Sequence, residues 1–368
     1  MYRTCFLLLW LLGIATGLTA QKKQRDTVRK YLDSRLALTN KANMDYPAMA
    51  FRDGDYWKLV AAYEDTTLLL RVWFRDEELT VKNGPFTLYH RKNVKAVEGH
   101  YTDNIREGIW KSWHTNGQLK DSGVFYHNHL TGTWFTWNEK GQLTATHEYA
   151  TDKAQLAVVR ANRVAERRPS LLSGDTSVGI LRGVSMTYHP NGNLKDSGSY
   201  VDDLKEGLWK EWYANGKQES FGTYKKGLQD GDWEYFRENG HRSTKEQYAG
   251  NKVKRLECFD EQGNFSGNTC PLLKPPVALG KFLDFDKYVM DHLFWPEELN
   301  RSDIEGNVEI EYIVNAAGVM EELKVTSSPH KAMSDEVLRF FRTLQWSPAM
   351  SHNRPISYPM KYVVPFYR

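Results

Sequence analysis

A glycine returns every 24 residues in two runs of three, at Gly84, Gly108 and Gly132 and again at Gly183, Gly207 and Gly231. Its surroundings return with it. Two positions after the glycine stand Phe86, Trp110, Trp134, Ser185, Trp209 and Trp233; five after it stand Tyr89, Trp113, Trp137, Tyr188, Trp212 and Phe236. Seventeen after it comes an aromatic in every copy: Tyr101, Phe125, Tyr149, Tyr200, Tyr224 and Tyr248. A fixed period of this length marks stacked supersecondary units, each too small to bury its own apolar face.

The unit reads as a β-hairpin. Asn116-Gly117, Asn191-Gly192, Asn215-Gly216 and Asn239-Gly240 are dipeptides that tolerate positive φ at both centres of a type I′ turn. A two-residue loop at Asn116-Gly117 sets Trp110 opposite Gly123, and the same count sets Trp209 opposite Gly222 and Phe86 opposite Gly99. An aromatic ring covers a cross-strand glycine well, which accounts for glycine inside a strand. Three copies depart: Trp134 faces His147, Trp233 faces Glu246, and Ser185 faces Gly198. Between hairpins, Asn104, Asn128, Asp203 and Gly227 share one position and accept left-handed turns. Glu107, Glu206 and Asp230 precede the repeat glycine, but Asn83, Thr131 and Arg182 stand there in other copies, so this is a solvated turn and not a site of chemistry. Two strands per copy advance a sheet by roughly 10 Å, so six copies span some 60 Å if continuous. The stretch from Thr151 to Gly179 interrupts them, and its Ala/Arg-rich part, Ala154 to Arg168, reads as a helix or a mobile insert. The pattern, over about Gly84 to Tyr248, resembles the MORN-type repeat in its bacterial variant. The resemblance implies scaffolding and contact with protein or lipid, and does not choose between them.

The balance of 49 basic and 46 acidic residues gives no global electrostatic partner and no reason to expect nucleic acid. Arg3, the apolar run Phe6 to Leu12 and the small residues ending at Leu18-Thr19-Ala20 have the layout of a secretory signal, with cleavage after Ala20. Phe6 to Ala20 would span about 22 Å as a helix against roughly 30 Å of bilayer core, which favours a cleaved signal over an uncleaved anchor. Cys5 precedes the apolar run, outside the usual position of a lipoprotein acceptor. Cys258 and Cys270 are therefore expected to pair in an exported chain, stapling a linker rich in turns at Gly263, Gly267, Pro271 and Pro275-Pro276. Before the repeats, Asp26 to Leu38 is helix-compatible, and Tyr56 to Tyr63 and Thr67 to Phe74 read as strands capping the repeat sheet.

After Pro276 the grammar changes. Phe285 to Leu293 is helix-like. Val308, Ile310, Tyr312 and Val314 alternate with Glu309 and Glu311, turn at Asn315 to Gly318, and resume through Val319, Glu321, Leu323 and Val325, a hairpin with one apolar face. Ser334 reads as the cap of a helix with Asp335 and Glu336 in its first turn, a Met333–Leu338 staple, and Val337, Leu338, Phe341 and Leu344 as its buried stripe. A last strand from Ile356 to Phe366 completes a small α+β domain. The order Trp295-Pro296, Glu305-Gly306-Asn307-Val308, Asn315 to Gly318, Trp346-Ser347-Pro348-Ala349, Asn353-Arg354-Pro355 and Val364-Pro365-Phe366 resembles the C-terminal domain of TonB proteins. The resemblance implies a domain that pairs its sheet edge with a short receptor segment, the Ton box. By position it implies the final strand as that edge, with Tyr358, Lys361, Tyr362 and Val363 as contacts. The plain alternative for the tyrosines is an ordinary strand role. A full transducer also has an uncleaved anchor and a long Pro-rich spacer; here the anchor is short and without histidine, and the prolines cluster only at Pro271, Pro275 and Pro276.

No Gly-x-Ser-x-Gly elbow, phosphate-binding loop, Cys-x-x-Cys pair or zincin helix occurs in the sequence. His127 and His129 have the spacing of a strand-borne metal pair but fall in an inter-repeat turn. No catalytic, cofactor or metal residues are expected. The expected organisation is a signal or short anchor over 1–20, a cap region over 21–81, repeats over 82–150 and 180–265 around an insert at 151–179, a linker over 266–276, and the α+β domain over 277–368. The fold class is mainly β: a single-layer antiparallel hairpin sheet plus the small TonB-like domain. The functional expectation is a periplasmic protein, inner-membrane anchored if the signal is retained, that docks to outer-membrane TonB-dependent receptors by strand addition and works with inner-membrane proton-motor proteins. The alternative is a periplasmic scaffold that binds through the repeat sheet without energy transduction.

Overall fold

The protein's computed structural model describes residues 27–151, 179–280, 283–300 and 302–367. The expected signal at 1–20 and the Ala154 to Arg168 segment lie outside the described residues. The chain divides into two units, residues 1–216 with 224–228, and residues 217–223 with 229–368.

The first unit is a meander of β1 (Thr27–Leu32), β2 (Tyr46–Asp53), β3 (Tyr56–Ala62), β4 (Leu68–Phe74), β5 (Lys82–Tyr89), β6 (Lys95–Thr102), β7 (Ile105–Trp113), β8 (Leu119–Tyr126), β9 (His129–Trp137), β10 (Leu143–Tyr149), β11 (Leu181–Tyr188), β12 (Leu194–Val201) and β13 (Leu204–Trp212). Each pairs antiparallel with the next. The sheet is continuous across the insert, because β10 pairs with β11 through Ala145–Thr187 and His147–Ser185. The helix-compatible stretch at Asp26 to Leu38 is instead strand β1 with a turn after it. Pairing with β2 at every residue from Thr27 to Leu32 overrides the local preference. The core lies at the cap, where Leu59, Leu70, Val72 and Phe74 are essentially inaccessible, and it continues into Phe86, Tyr101, Trp110 and Phe125.

The expected hairpin register holds: Trp110 pairs with Gly123, Phe86 with Gly99, Trp134 with His147 and Ser185 with Gly198. The turn that sets it differs. Gly117 N–H donates to His114 O and only Gly117, at φ 85°, is left-handed, so Asn-Gly closes a three-residue loop with a bulge in place of type I′. The register shift between Ser112 and Trp113 absorbs the extra residue. The Asn side chain has another duty: Asn116 Nδ2 donates to Glu139 O at 2.7 Å and Asn191 Nδ2 to Ala214 O at 2.6 Å, one hairpin further on. Turns between hairpins, Asp103-Asn104, His127-Asn128 and Asp202-Asp203, have both centres at positive φ. There Asn104 Oδ1 accepts from Lys82 N–H, Asn128 Oδ1 from Arg106 N–H, and Asp203 Oδ1 from Leu181 N–H. Each of these N–H groups belongs to the strand that pairs with the one leading into the turn, so the turn is tied back to the preceding strand.

Glycine also works differently from expectation. A Cβ at Gly123 would stand 2.2 Å from the ring of Trp134; at Gly99 it would meet Trp110, and at Gly198 Trp209, each at 2.1 Å. Each indole therefore lies on the glycine of the preceding hairpin, and Gly123, the cross-strand partner of Trp110, is covered by Trp134 and not by Trp110. The indole N–H secures the arrangement: Trp134 Nε1 donates to Val124 O at 3.2 Å and Trp209 Nε1 to Ser199 O at 3.1 Å, each the residue after the covered glycine. The departures become regular on this reading. His147 fills the glycine position before the insert, so the next ring position holds the small Ser185, whose Oγ bonds His147 Nδ1 at 2.7 Å.

The second unit holds β14 (Gln218–Lys225) up to residue 223, β15 (Leu228–Phe236) from residue 229, β16 (Arg242–Ala249), β17 (Lys252–Phe259) and β18 (Phe265–Gly267). The same lock recurs, with Gly222 under Trp233 at 2.1 Å. Then follow β19 (Leu273–Lys274), β20 (Val277–Leu279), α1 (Phe285–His292), β21 (Gly306–Val314), β22 (Met320–Ser327), α2 (Lys331–Phe341), β23 (Gln345–Ser347), β24 (Ala349–Ser351), β25 (Arg354–Ile356) and β26 (Tyr358–Phe366). The three-stranded sheet β22-β21-β26 buries Val308, Ile310, Tyr312 and Val314 against Met333, Val337, Phe340 and Phe341 of α2. Ser334 does not cap α2: the helix starts earlier, its N-cap is His330, whose Nδ1 accepts from Ala332 N–H, and burial of Met333 requires that first turn.

Glu246 occupies the glycine position of the last hairpin, opposite Trp233, and is fully buried. No tryptophan follows in β17 to cover it. His352, at the tip of β24–β25, takes that place: its Nδ1 lies 2.8 Å from Glu246 Oε1, and its ring stacks on Tyr235 with centroids 3.6 Å apart. Burial opposes the charge of Glu246, yet hydrogen bonds from His352, Thr244 and Tyr248 outweigh it and hold the carboxyl below the ordinary glutamate range.

Two outcomes follow. Gly123→Ala forces the Trp134 ring off its seat and lowers stability by about 2–4 kcal/mol. Trp134→Ala in the same chain recovers part of that loss, seen as coupling in a double-mutant cycle of denaturation midpoints. Because the folded pKa of Glu246 is depressed, its contribution is present above the ordinary value and lost as pH falls through the folded one. The acid limb of a stability-against-pH profile should therefore flatten in Glu246→Gln.

Candidate peptide-binding edge

β26 is the outer strand of its sheet and pairs with β21 without a break, from Gly306–Phe366 to Val314–Tyr358. Its side chains alternate. Tyr358, Met360, Tyr362, Val364 and Phe366 turn toward the core, while Pro359, Lys361, Val363 and Pro365 are exposed. In an antiparallel strand the N–H and C=O of one residue point to the same side, alternating along the chain. Proline has no N–H to give β21, so Pro359 and Pro365 occupy outward positions, and Lys361 and Val363 share their parity. The free side thus offers N–H donors at Lys361 and Val363 and carbonyls at all four residues.

The opposite edge, β22, is guarded. Its pairing with β21 shifts register twice, and Glu322 sits at φ 53°, a strained conformation for a residue with a Cβ. Regular backbone is offered on one edge of this sheet and bulged backbone on the other.

The four residues expected to touch a partner do not share a role. Tyr362 is engaged inward: its ring lies 5.6 Å from Phe285 and 5.4 Å from Phe341, and its hydroxyl donates to Asp286 Oδ1. Burial, then the bond to Asp286, pushes its pKa up. Tyr358 also faces the core side and is half-buried. Lys361 is exposed and pairs with Glu311, which holds the ammonium above and the carboxyl below their ordinary values; Lys324 joins the same carboxylate. Val363 is half exposed with its side chain outward. The edge therefore presents free backbone at Lys361 and Val363, with the prolines as its limits. The prolines were visible in the sequence; the guard at Glu322 was not, since it is set by backbone conformation.

Cys258 and Cys270 are disulfide-bonded. His127 pairs with Glu107 through Nδ1 at 2.9 Å, and His129 is buried in β9. Among the described residues no group of three His, Cys, Asp or Glu is placed to hold a metal ion.

Residues 291–367 match the family described as Gram-negative bacterial TonB protein C-terminal. Residues 106–128, 181–202 and 205–226 match the MORN repeat variant. The chain is thus similar to two families, joined in one polypeptide. The TonB-type segment carries β21, β22, α2 and β26, so the free edge lies wholly inside the match. This supports a TonB-like energy-transducer family for that segment, a family whose members interact with outer-membrane receptors. Curated proteins gave no match to the chain. Among the described residues no helix is long and apolar enough to cross a membrane.

Tyr362→Phe removes the bond to Asp286 while keeping the ring. It should lower stability by about 1 kcal/mol in urea denaturation and leave the β26 backbone unchanged in amide exchange.

Proposed function

We propose that this chain works in TonB-type transport across the Gram-negative envelope, in a non-catalytic role, as the periplasmic partner that takes an extended receptor segment, the Ton box, as an added strand on β26. The observation that carries this reading is the unbroken, unpaired edge of β26, set against the bulged edge of β22. Backbone hydrogen bonds supply the affinity in such recognition, and neighbouring side chains tune it. With two donors between two prolines, the edge accepts a short segment, and the segment must bring its own N–H groups to four outward carbonyls. Membrane association and work with an inner-membrane proton motor belong to the same reading and rest on the TonB-type match.

The repeat sheet supports a second, scaffolding role. Ile109 pairs with Val124 across β7–β8 and both are exposed, Ile109 at 64%. Such a face suits contact with protein or lipid.

The test is Val363→Pro in the full chain. Proline is already accommodated at two outward positions of this strand, so the fold should survive while one of the two donors is lost. Titration with peptides copied from the periplasmic N-terminal segments of outer-membrane receptors should show binding weakened by about tenfold, roughly one charge-neutral backbone bond. Glu322→Lys on β22 should change nothing. Equal binding by wild type and Val363→Pro would remove β26 as the docking edge.

A further inference from the structure

The C-terminal domain is plugged into the end of the repeat sheet by the β24–β25 hairpin, and the joint is rich in polar contacts around the stacked rings of His352 and Tyr235. Besides His352 on Glu246, Arg354 is buried, pairs with Glu219 at 2.9 Å and donates to the carbonyls of Glu219 and Phe236. Arg237 donates to Phe259 O and to Asn353 O, and Asn353 Nδ2 donates to Phe259 O at 3.0 Å. Charged pairs taken out of water return most of their mutual attraction as desolvation. The Arg354–Glu219 pair and the bonds to carbonyls around it thus fix position more than they add net stability.

A covalent tie lies beside these contacts. The linker after Cys270 runs along the same hairpin as a third strand: Leu273 pairs with Ser351 and Lys274 with Met350. Asn353 N–H donates to Pro271 O at 2.8 Å and His352 N–H to Leu272 O at 2.9 Å. Cys270, next to Pro271, is bonded to Cys258, which adjoins Phe259, the residue whose carbonyl receives Asn353 and Arg237. The disulfide fixes the linker at the point where it meets both the sheet and the hairpin.

We propose that the Cys258–Cys270 disulfide is the latch of this joint, and that an exported dithiol reductant opens it, releasing the C-terminal domain from the repeat sheet without unfolding either. A reductant thiolate attacks Sγ of Cys270, the less buried of the pair, and Cys258 leaves as a thiolate that takes up a proton. The second thiol of the reductant attacks the mixed disulfide and frees Cys270. Two electrons and two protons pass to the cystine, and the reductant ends as a disulfide. With the latch open the linker regains its freedom, and the effective concentration of the hairpin at its socket falls. This inference is independent of the reading of β26, whose edge lies in a different sheet of the same domain.

The test is hydrogen–deuterium exchange by mass spectrometry on the full chain, oxidised and after addition of dithiothreitol, with the Cys258→Ser/Cys270→Ser variant alongside. Opening should speed exchange of a peptide covering residues 349–356 by at least about tenfold in both the reduced and the variant protein. Peptides from β15–β16 and from β21 should keep their protection. Unchanged exchange at 349–356 in the double variant would overturn the latch. Equal loss of protection in β21 or β15–β16 would overturn it too, because the disulfide would then be holding a whole fold and not a joint.

Discussion

An indole laid on bare backbone is the contact on which the repeat sheet depends. A single-layer sheet has no second layer to cover its faces, so its apolar surface must be buried by its own side chains, lying along the sheet. A tryptophan does this only if the strand it crosses carries no Cβ, and each copy therefore supplies a glycine for the next ring. The rule links neighbouring hairpins and constrains pairs of positions in different copies. It also says what must happen where the series is interrupted or ends. His147 with Ser185 is the interruption, a hydrogen-bonded pair of matched size in place of glycine and indole. Glu246 is the end, and a histidine from the β24–β25 hairpin completes it.

Much of this was legible in the sequence. The period fixed the hairpin, and alternation fixed β21 and its apolar face to the residue. The pairing of Trp110 with Gly123 came out right although the loop was assigned the wrong turn, because the bulge adds one residue and the register shift removes it. The direction in which the ring leans did not follow from pairing, since each strand has two neighbours and a cross-strand count speaks of one. The strand at Thr27–Leu32 was hidden because its partner is supplied by tertiary pairing and not by local preference. The α2 start was missed because a histidine side chain capped it in the place of a serine. The socket has its own signal in the sequence: a carboxylate where four of the five copies before it have glycine.

The C-terminal domain manages its exposed backbone by position. One edge is made unattractive by bulges and an unusual φ at Glu322, the other is left regular but confined between Pro359 and Pro365. A sheet with an open edge invites pairing of any length, and prolines at both ends reduce that invitation to a short one. Backbone bonding at such an edge reads the extended shape of a segment, and the side chains beside it add discrimination.

The meander brings each hairpin against its chain neighbours, so the repeat sheet can grow in the order in which the chain emerges. Glu246 is the exception. Its partner His352 lies 106 residues later, nearly at the C-terminus. Until that histidine arrives, the last repeat carries a carboxylate in a position built for a ring. Without the β24–β25 hairpin that carboxylate would be buried with no histidine to meet it, so the last repeat depends on a segment far from it in sequence.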